Sequence, residues 1–371
     1  MPCRDTVLTD LVHEGVSVWL GGVSRRSLAD GTLSLRTADG CVTGAVLSLR
    51  EMGREVRDGT AYQEQIGLLA AQGVTADEAV RALHLYDARW ACDVLRQSFT
   101  ASRGADGWVC AELDPRFADD ARASVAEART VALAVNRPNL LITVPSTPAG
   151  MTVISDCVAE GIGVNAGHIY SVRRYGEVVE AYFEGMGRAL AAGRAVTACL
   201  SVASFEAARM EAAVDGCLDE LEDAVAAPLR GRSALALARA AYQLYEERLG
   251  SGRWRKLRAA GARPQRLAWP GAGTPDPATA VRQVEELVAW NTVHTMSQPV
   301  LDAVARRGRL RGDTLSGEST ASNELLTGLW LRGVSVDRTA EKLARAELRR
   351  SVRDRLDLVG SVRDTWRRTQ G

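Results

Sequence analysis

Lysine is almost missing from this 371-residue chain: only two of its 46 basic residues, Lys256 and Lys342, are lysine. So few primary amines leave little scope for chemistry that passes through an imine. An excess charge of one sign is also missing, because 46 acidic residues balance the 46 basic ones. Nucleic acid is therefore not an expected partner. No apolar run approaches the ~20 residues of a membrane-spanning helix, and the start Met1-Pro-Cys-Arg-Asp5 lacks a basic segment followed by an apolar one. The expectation is a cytoplasmic protein, neither secreted nor inserted in a membrane. Cys3, Cys41, Cys92, Cys110, Cys157, Cys199 and Cys217 are odd in number and form no Cys-x-x-Cys pair, so they are expected to be reduced thiols filling the core. No His/Cys/Asp group has metal-ligand spacing, Gly271-Ala-Gly273 is too short for a phosphate cradle, and no Gly-x-Ser-x-Gly elbow occurs. No metal or cofactor is expected.

What the chain does have is the composition of a globular protein, 46% hydrophobic and 25% charged. Short apolar or β-branched runs recur at Val16–Leu20, Thr43–Ser48, Trp108–Leu113, Leu140–Pro145, Ile162–His168, Ala198–Ser204, Arg263–Trp269 and Asn291–Met296. Helical apolar spacing fills most of the gaps, as in Phe117–Val135, Val172–Ala192, Glu206–Val225 and Ser233–Leu249. Alternation of this kind across eight units predicts an α/β fold, a (β/α)8 TIM barrel, with function at the C-terminal ends of the strands. Two additions are expected: a helical insertion after the second strand, from Asp58 to Gln97, and a charged helical tail, from Asn323 to Arg368. Within the insertion, Thr75 and Glu78 have the spacing of a capping box. The domain division that follows is a barrel over 1–315 and a C-terminal extension over 316–371, packing on the barrel or pairing with a second subunit or a partner protein.

Seven collinear segments carry a family resemblance: Gly15-Val-Ser-Val-Trp-Leu20, Ala61-Tyr-Gln-Glu-Gln65, Ala111-Glu-Leu-Asp-Pro115, Arg137-Pro-Asn-Leu-Leu-Ile142, Ala159-Glu-Gly161, Ser201-Val-Ala-Ser-Phe205 and Ala262-Arg-Pro-Gln-Arg266. Together they resemble the long bacterial transaldolases, whose members move a dihydroxyacetone unit between sugar phosphates. The resemblance implies an imine-forming barrel lysine, carboxylates that shuttle protons, and basic residues that hold phosphate. The physical need is an electron sink for carbon–carbon cleavage and a neighbouring acid–base group.

Carried over position by position, the resemblance is uneven. In Asn139-Leu-Leu-Ile-Thr-Val-Pro-Ser-Thr-Pro-Ala-Gly150 the lysine position of the family pattern Ile-Lys-Ile-Pro-Ala-Thr is Thr143, which cannot form an imine. Gly21-Gly22 stand where the first strand would end in acidic residues, Ser48 stands for a substrate-binding asparagine, and Asn165-Ala-Gly167 keeps an amide and loses a hydroxyl. Glu112 matches the second carboxylate, while Ser204 and Arg209 match a serine and a phosphate-binding arginine. The later phosphate-binding stretch reads Pro270-Gly-Ala-Gly-Thr274.

Alternation along Cys110-Ala-Glu-Leu-Asp114 turns Glu112 and Asp114 to one inward face. Candidate catalytic residues are thus Glu112, Asp114, Thr143 and Ser204, with Asn165, Arg209, Ser48, Glu206 and His294 as candidate substrate or anion contacts. The same alternation turns His168 towards the helix layer. The reading reached from these substitutions is a repurposed, lysine-independent lyase, cyclase or isomerase, its ligand a small carbonyl or sugar-derived compound and Glu112 its acid–base. A catalytically silent relative acting through a partner, or a genuine transaldolase, are the alternatives.

Overall fold

The computed structural model describes residues 6–197, 199–221, 228–271, 276–317 and 319–370. Among these, β1 (Val16–Val23), β2 (Gly44–Leu47), β3 (Trp108–Glu112), β4 (Leu140–Pro145), β5 (Val164–Ile169), β6 (Ser201–Phe205), β7 (Arg266–Pro270) and β8 (Thr292–Met296) run parallel and close into a barrel in chain order. The (β/α)8 architecture expected from strand and helix alternation is the one observed. The strands are largely apolar on both faces because each face is covered. Trp19, Trp108, Cys110, Leu141, Val202, Ala268 and Val293 fill the inside, and the opposite faces pack on the helix ring. Gly44 is required by this filling: a Cβ there would lie 2.5 Å from the Trp19 ring. At the N-terminal end Arg266 closes the floor, donating to Ser17 Oγ at 2.8 Å and to the Thr292 carbonyl at 2.6 Å.

Several boundaries differ from expectation. The insertion begins at Leu49 rather than Asp58, because the Ser48 hydroxyl caps a helix directly off β2, accepting from the Glu51 amide at 3.3 Å. Helices Gln63–Ala71 and Ala76–Val94 follow, and the Thr75–Glu78 capping box is formed. β6 starts at Ser201, while Ala198, the expected first residue, lies outside the described residues. The helix expected over Glu206–Val225 is described as Ala207–Asp219, and residues 222–227 also lie outside. Cys92, Cys110, Cys157, Cys199 and Cys217 are free thiols, but Cys41 is disulfide-bonded, which corrects the expectation of reduced thiols throughout.

The tail forms helices Ser319–Leu331 and Val336–Gln370. The second, 35 residues long, is ~50 Å from end to end at 1.5 Å per residue. Leu358, Val359 and Val362 join Leu49, Met52, Val56, Tyr62, Ile66 and Val80 of the insertion in one apolar cluster, and Trp366 Nε1 donates to the Ile66 carbonyl at 3.0 Å. Tail and insertion therefore cover the C-terminal side of the barrel together. No helix among the described residues is long and apolar enough to cross a membrane.

One buried ion pair pins the insertion to the end of β1. Arg25 Nε lies 2.5 Å from Asp87 Oδ1, the Tyr62 hydroxyl donates to Asp87 Oδ2 at 2.7 Å, and the guanidinium sits between the Tyr62 and Tyr86 rings at 4.5 and 4.7 Å. Asp87→Ala would leave the Arg25 charge buried without its carboxylate. The expected cost is about 3–5 kcal/mol, read as a lower midpoint in urea unfolding; a loss below ~1 kcal/mol would show that the pair does not hold the insertion in place.

Candidate active site

Strand register sets the site. Glu112, Thr143 and Asn165 are successive register partners on β3, β4 and β5, at one level near the C-terminal end of the barrel. Their parity matches the inward residues Cys110, Leu141 and Val202, so all three face inside. A hydrogen-bonded chain links them to β6: Ser204 Oγ donates to Asn165 Oδ1 at 2.8 Å, and Asn165 Nδ2 donates to Thr143 Oγ1 at 3.3 Å. Both ends of the Asn165 amide are thereby assigned.

Glu112 completes this layer. Burial pushes its carboxyl up to about 7, partly opposed by a hydrogen bond from the Leu49 backbone and reinforced by the charges of Asp354 and Glu347 in the tail helix. A carboxyl of that pKa exchanges protons readily near neutral pH. Glu206, one step past β6, is likewise pushed up to about 7 by burial, against the pull of Arg209. Arg209 reaches the rim from the following helix. Its Nη1 lies 2.7 Å from Glu347 Oε2 and its Nε 3.5 Å from Glu206 Oε2.

Three expectations about placement are corrected. Asp114 does not join Glu112 as a free acid–base. β3 ends at Glu112, and the Asp114 carboxylate caps the next turn, gripped by Arg116 Nη2 at 2.6 Å and Nε at 2.9 Å, with Arg355 Nε at 3.4 Å. Burial would raise its pKa, but the Arg116 hydrogen bonds hold it below the usual value. His294 faces outward on β8, its Nε2 3.0 Å from the Leu287 carbonyl. Burial lowers its pKa to about 4, so it is a neutral packing residue away from the mouth. His168, by contrast, turns to the rim. A register shift between Ala166 and Ile169 and a left-handed φ of 59° at His168 break the strand alternation. The ring then lines a cavity of about 530 Å³ with Ser146, Tyr170, Arg174, Ala344 and Leu348, beneath the tail helix. Ser48 stays at the end of β2, with its oxygen engaged as a helix cap.

The small residues next to Thr143 are close-fitting. A Cβ on Gly167 would lie 3.3 Å from Thr143 Cγ2, and one on Gly21 would lie 2.9 Å from Thr295 Cγ2. Lys256 and Lys342 are exposed, on the helix Gly252–Ala259 and on the tail helix, neither of them part of the sheet. Residues 272–274 of the stretch expected to carry further phosphate contacts lie outside the described residues. Among the described residues no cluster could hold a metal ion.

The family profile described as Transaldolase/Fructose-6-phosphate aldolase matches residues 25–362, from just after β1 into the tail helix. The chain belongs to this family. It is 41% identical over 339 residues to a transaldolase of Acidothermus cellulolyticus, covering 91% of each chain. It is 43% identical to a transaldolase of Thermobifida fusca, over 91% of this chain and 92% of that one. To transaldolase 1 of Streptomyces coelicolor it is 42% identical, over 91% and 88%. This near-complete similarity to proteins named transaldolase overturns the expectation of a repurposed lyase, cyclase or isomerase, and equally that of a silent scaffold. Agreement along 91% of the chain outweighs substitutions at a few strand ends.

Glu347, Arg350 and Arg355 of this transaldolase-family chain were missed by sequence reasoning. The segment Glu347-Leu-Arg-Arg350 shows an i,i+3 charge pair, but nothing in that spacing says that the helix crosses a barrel mouth.

Proposed function

We propose that the protein transfers a dihydroxyacetone unit between sugar phosphates, with Glu112 moving the proton and the layer Thr143–Asn165–Ser204 holding the substrate carbonyl and hydroxyl groups. The observation that carries this reading is the inward layer itself: a carboxyl raised to about 7 beside a hydrogen-bonded Ser–Asn–Thr chain, in a barrel alike to transaldolases over 91% of its length. Arg209 holds the phosphate of the donor ketose, as the rim position and its charge suit it to do. Thr143 stands at the family's lysine position, so the donor is not linked as an imine. Its carbonyl is instead polarised by the Thr143 hydroxyl and the Asn165 amide. As the Glu112 carboxylate accepts the hydroxyl proton and the carbon–carbon bond breaks, the electron pair passes onto that carbonyl oxygen as a hydrogen-bonded enediolate, which then adds to the acceptor aldehyde while Glu112 returns the proton. Hydrogen bonding is a weaker electron sink than an iminium, so turnover is expected to be slow.

The test is transfer from fructose 6-phosphate to an aldose phosphate, followed by release of the three-carbon aldehyde phosphate. Slow transfer, unchanged by sodium borohydride, is the expected result. Absence of transfer at high enzyme concentration would refute the reading, and borohydride inactivation with label on Lys256 or Lys342 would replace the proposed mechanism with an imine one.

A further inference from the structure

The arginine that should receive the substrate's phosphate already holds an anion supplied by the chain itself. Glu347 of the tail helix places Oε2 2.7 Å from Arg209 Nη1, and the same oxygen lies 3.5 Å from Arg350 Nη1, one turn along the helix. Two guanidiniums, one from the barrel and one from the tail, thus converge on a single carboxylate oxygen. That is the donor arrangement in which a phosphate oxygen is held. The cluster is reachable: the side chains of Arg209, Glu347 and Arg350 are 30%, 20% and 35% exposed. The tail's position is fixed independently of this contact by the apolar cluster around Leu358, Val359 and Val362 and by Arg355, which pairs with Asp77 at 3.1 Å and with Asp114 at 3.4 Å. Displacing Glu347 from Arg209 and Arg350 therefore asks for a side-chain rotation and no movement of the tail helix.

We propose that Arg209 and Arg350 form a two-armed phosphate clamp and that Glu347 is its resident occupant, an internal competitor displaced by the phosphate of the incoming substrate. The inference rests on Arg209 binding the donor phosphate, as read above. An unphosphorylated ketose brings nothing to compete with Glu347 and leaves the clamp closed on itself. A phosphorylated ketose exchanges one carboxylate for a dianion with three acceptor oxygens, which both guanidiniums can share. The cost of displacing Glu347 is subtracted from every phosphorylated ligand and from no neutral one.

The experiment is calorimetric titration of the full-length protein with inorganic phosphate, fructose 6-phosphate and fructose, using wild type, Glu347→Gln, Glu347→Ala and Arg350→Gln. Removing the Glu347 charge is expected to tighten phosphate and fructose 6-phosphate by about tenfold or more and to leave fructose unchanged. Arg350→Gln is expected to weaken both phosphorylated ligands by about tenfold. Equal or weaker binding of the phosphorylated ligands by both Glu347 variants overturns the proposal, as does a gain for inorganic phosphate alone. A crystal of the wild-type protein soaked in fructose 6-phosphate reads the same question without a variant: Glu347 turned away with phosphate on both guanidiniums is expected, and Glu347 still on Arg209 overturns it. None of these readouts needs turnover. A failure of dihydroxyacetone transfer and a failure of the clamp are therefore separate results.

Discussion

A Thr143→Lys variant is expected to be trapped covalently by sodium borohydride in the presence of fructose 6-phosphate, and to transfer dihydroxyacetone units on the order of a hundredfold faster than the native chain, about 2.7 kcal/mol of barrier. The position already has what an imine lysine requires. It faces inward on β4 with Glu112 and Asn165 as its register partners on either side, so a proton-transfer group adjoins the new amine. Glu112, pushed up to about 7 by burial, can deliver and remove the protons of carbinolamine formation. The absence of a side chain at Gly167, whose Cβ would lie 3.3 Å from Thr143 Cγ2, leaves room for a longer residue. Partial burial also lowers the pKa of the new amine, raising its nucleophilic fraction.

The gain should stop short of a full transaldolase. The first-strand carboxylate implied by the family resemblance cannot be restored at Gly21 alone, because a Cβ there would meet Thr295 Cγ2 at 2.9 Å. A Thr143→Lys, Thr295→Ser, Gly21→Asp triple variant is the natural next step. Intact-mass measurement after borohydride reduction decides the matter: an unmodified Thr143→Lys protein would show that position 143 is closed to the donor carbonyl.

Glu112→Gln should have the opposite effect, lowering transfer by about 10²- to 10⁴-fold, the usual contribution of a positioned acid–base group. The native kcat/KM should rise through a limb centred near the value of about 7 that burial gives this carboxyl, because the ionised form is the base, and the limb should be missing from the Gln variant. Glu206 is also raised to about 7, so Glu206→Gln is the necessary control. Its carboxylate faces Arg209 rather than the reacting layer, and its loss should alter KM for the phosphorylated donor and preserve the limb. A limb that vanishes in Glu206→Gln and survives in Glu112→Gln would exchange the two roles.

The same carboxyl predicts how stability depends on pH. In the folded protein it keeps its proton up to about 7, whereas the unfolded chain releases it near the ordinary carboxylate value of about 4.3. Between those values the folded state binds more protons, so stability falls as pH rises across that window. Glu112→Gln removes this share. Its melting temperature should decline less than that of the native protein between pH 5 and pH 8.

The barrel was legible because its signal is repeated and local. Eight short apolar runs separated by helical spacing leave few alternatives, since a parallel strand must be covered on both faces and followed by a crossover. Inward facing at Glu112 followed from a period of two along a straight strand, whereas the placing of Thr143, Asn165 and Ser204 beside it came from the strand register and the hydrogen-bonded chain. His168 escaped the same rule because the β5 bulge and a left-handed backbone at that residue break the period where the chain leaves the sheet. Asp114 escaped it because β3 ends two residues earlier and an arginine two positions on takes its carboxylate.

By itself, then, the sequence determined the closed α/β barrel, the inward facing of Glu112, and the scarcity of amines within reach of it. Only the tertiary structure decided what lies over the reacting layer. The tail helix meets the rim through side chains more than a hundred residues distant along the chain, as in the pair Arg209–Glu347. No local periodicity encodes such a contact. It is set by where the apolar face of the helix finds its partners in the insertion, and the charges on its other face are carried to the mouth as a consequence.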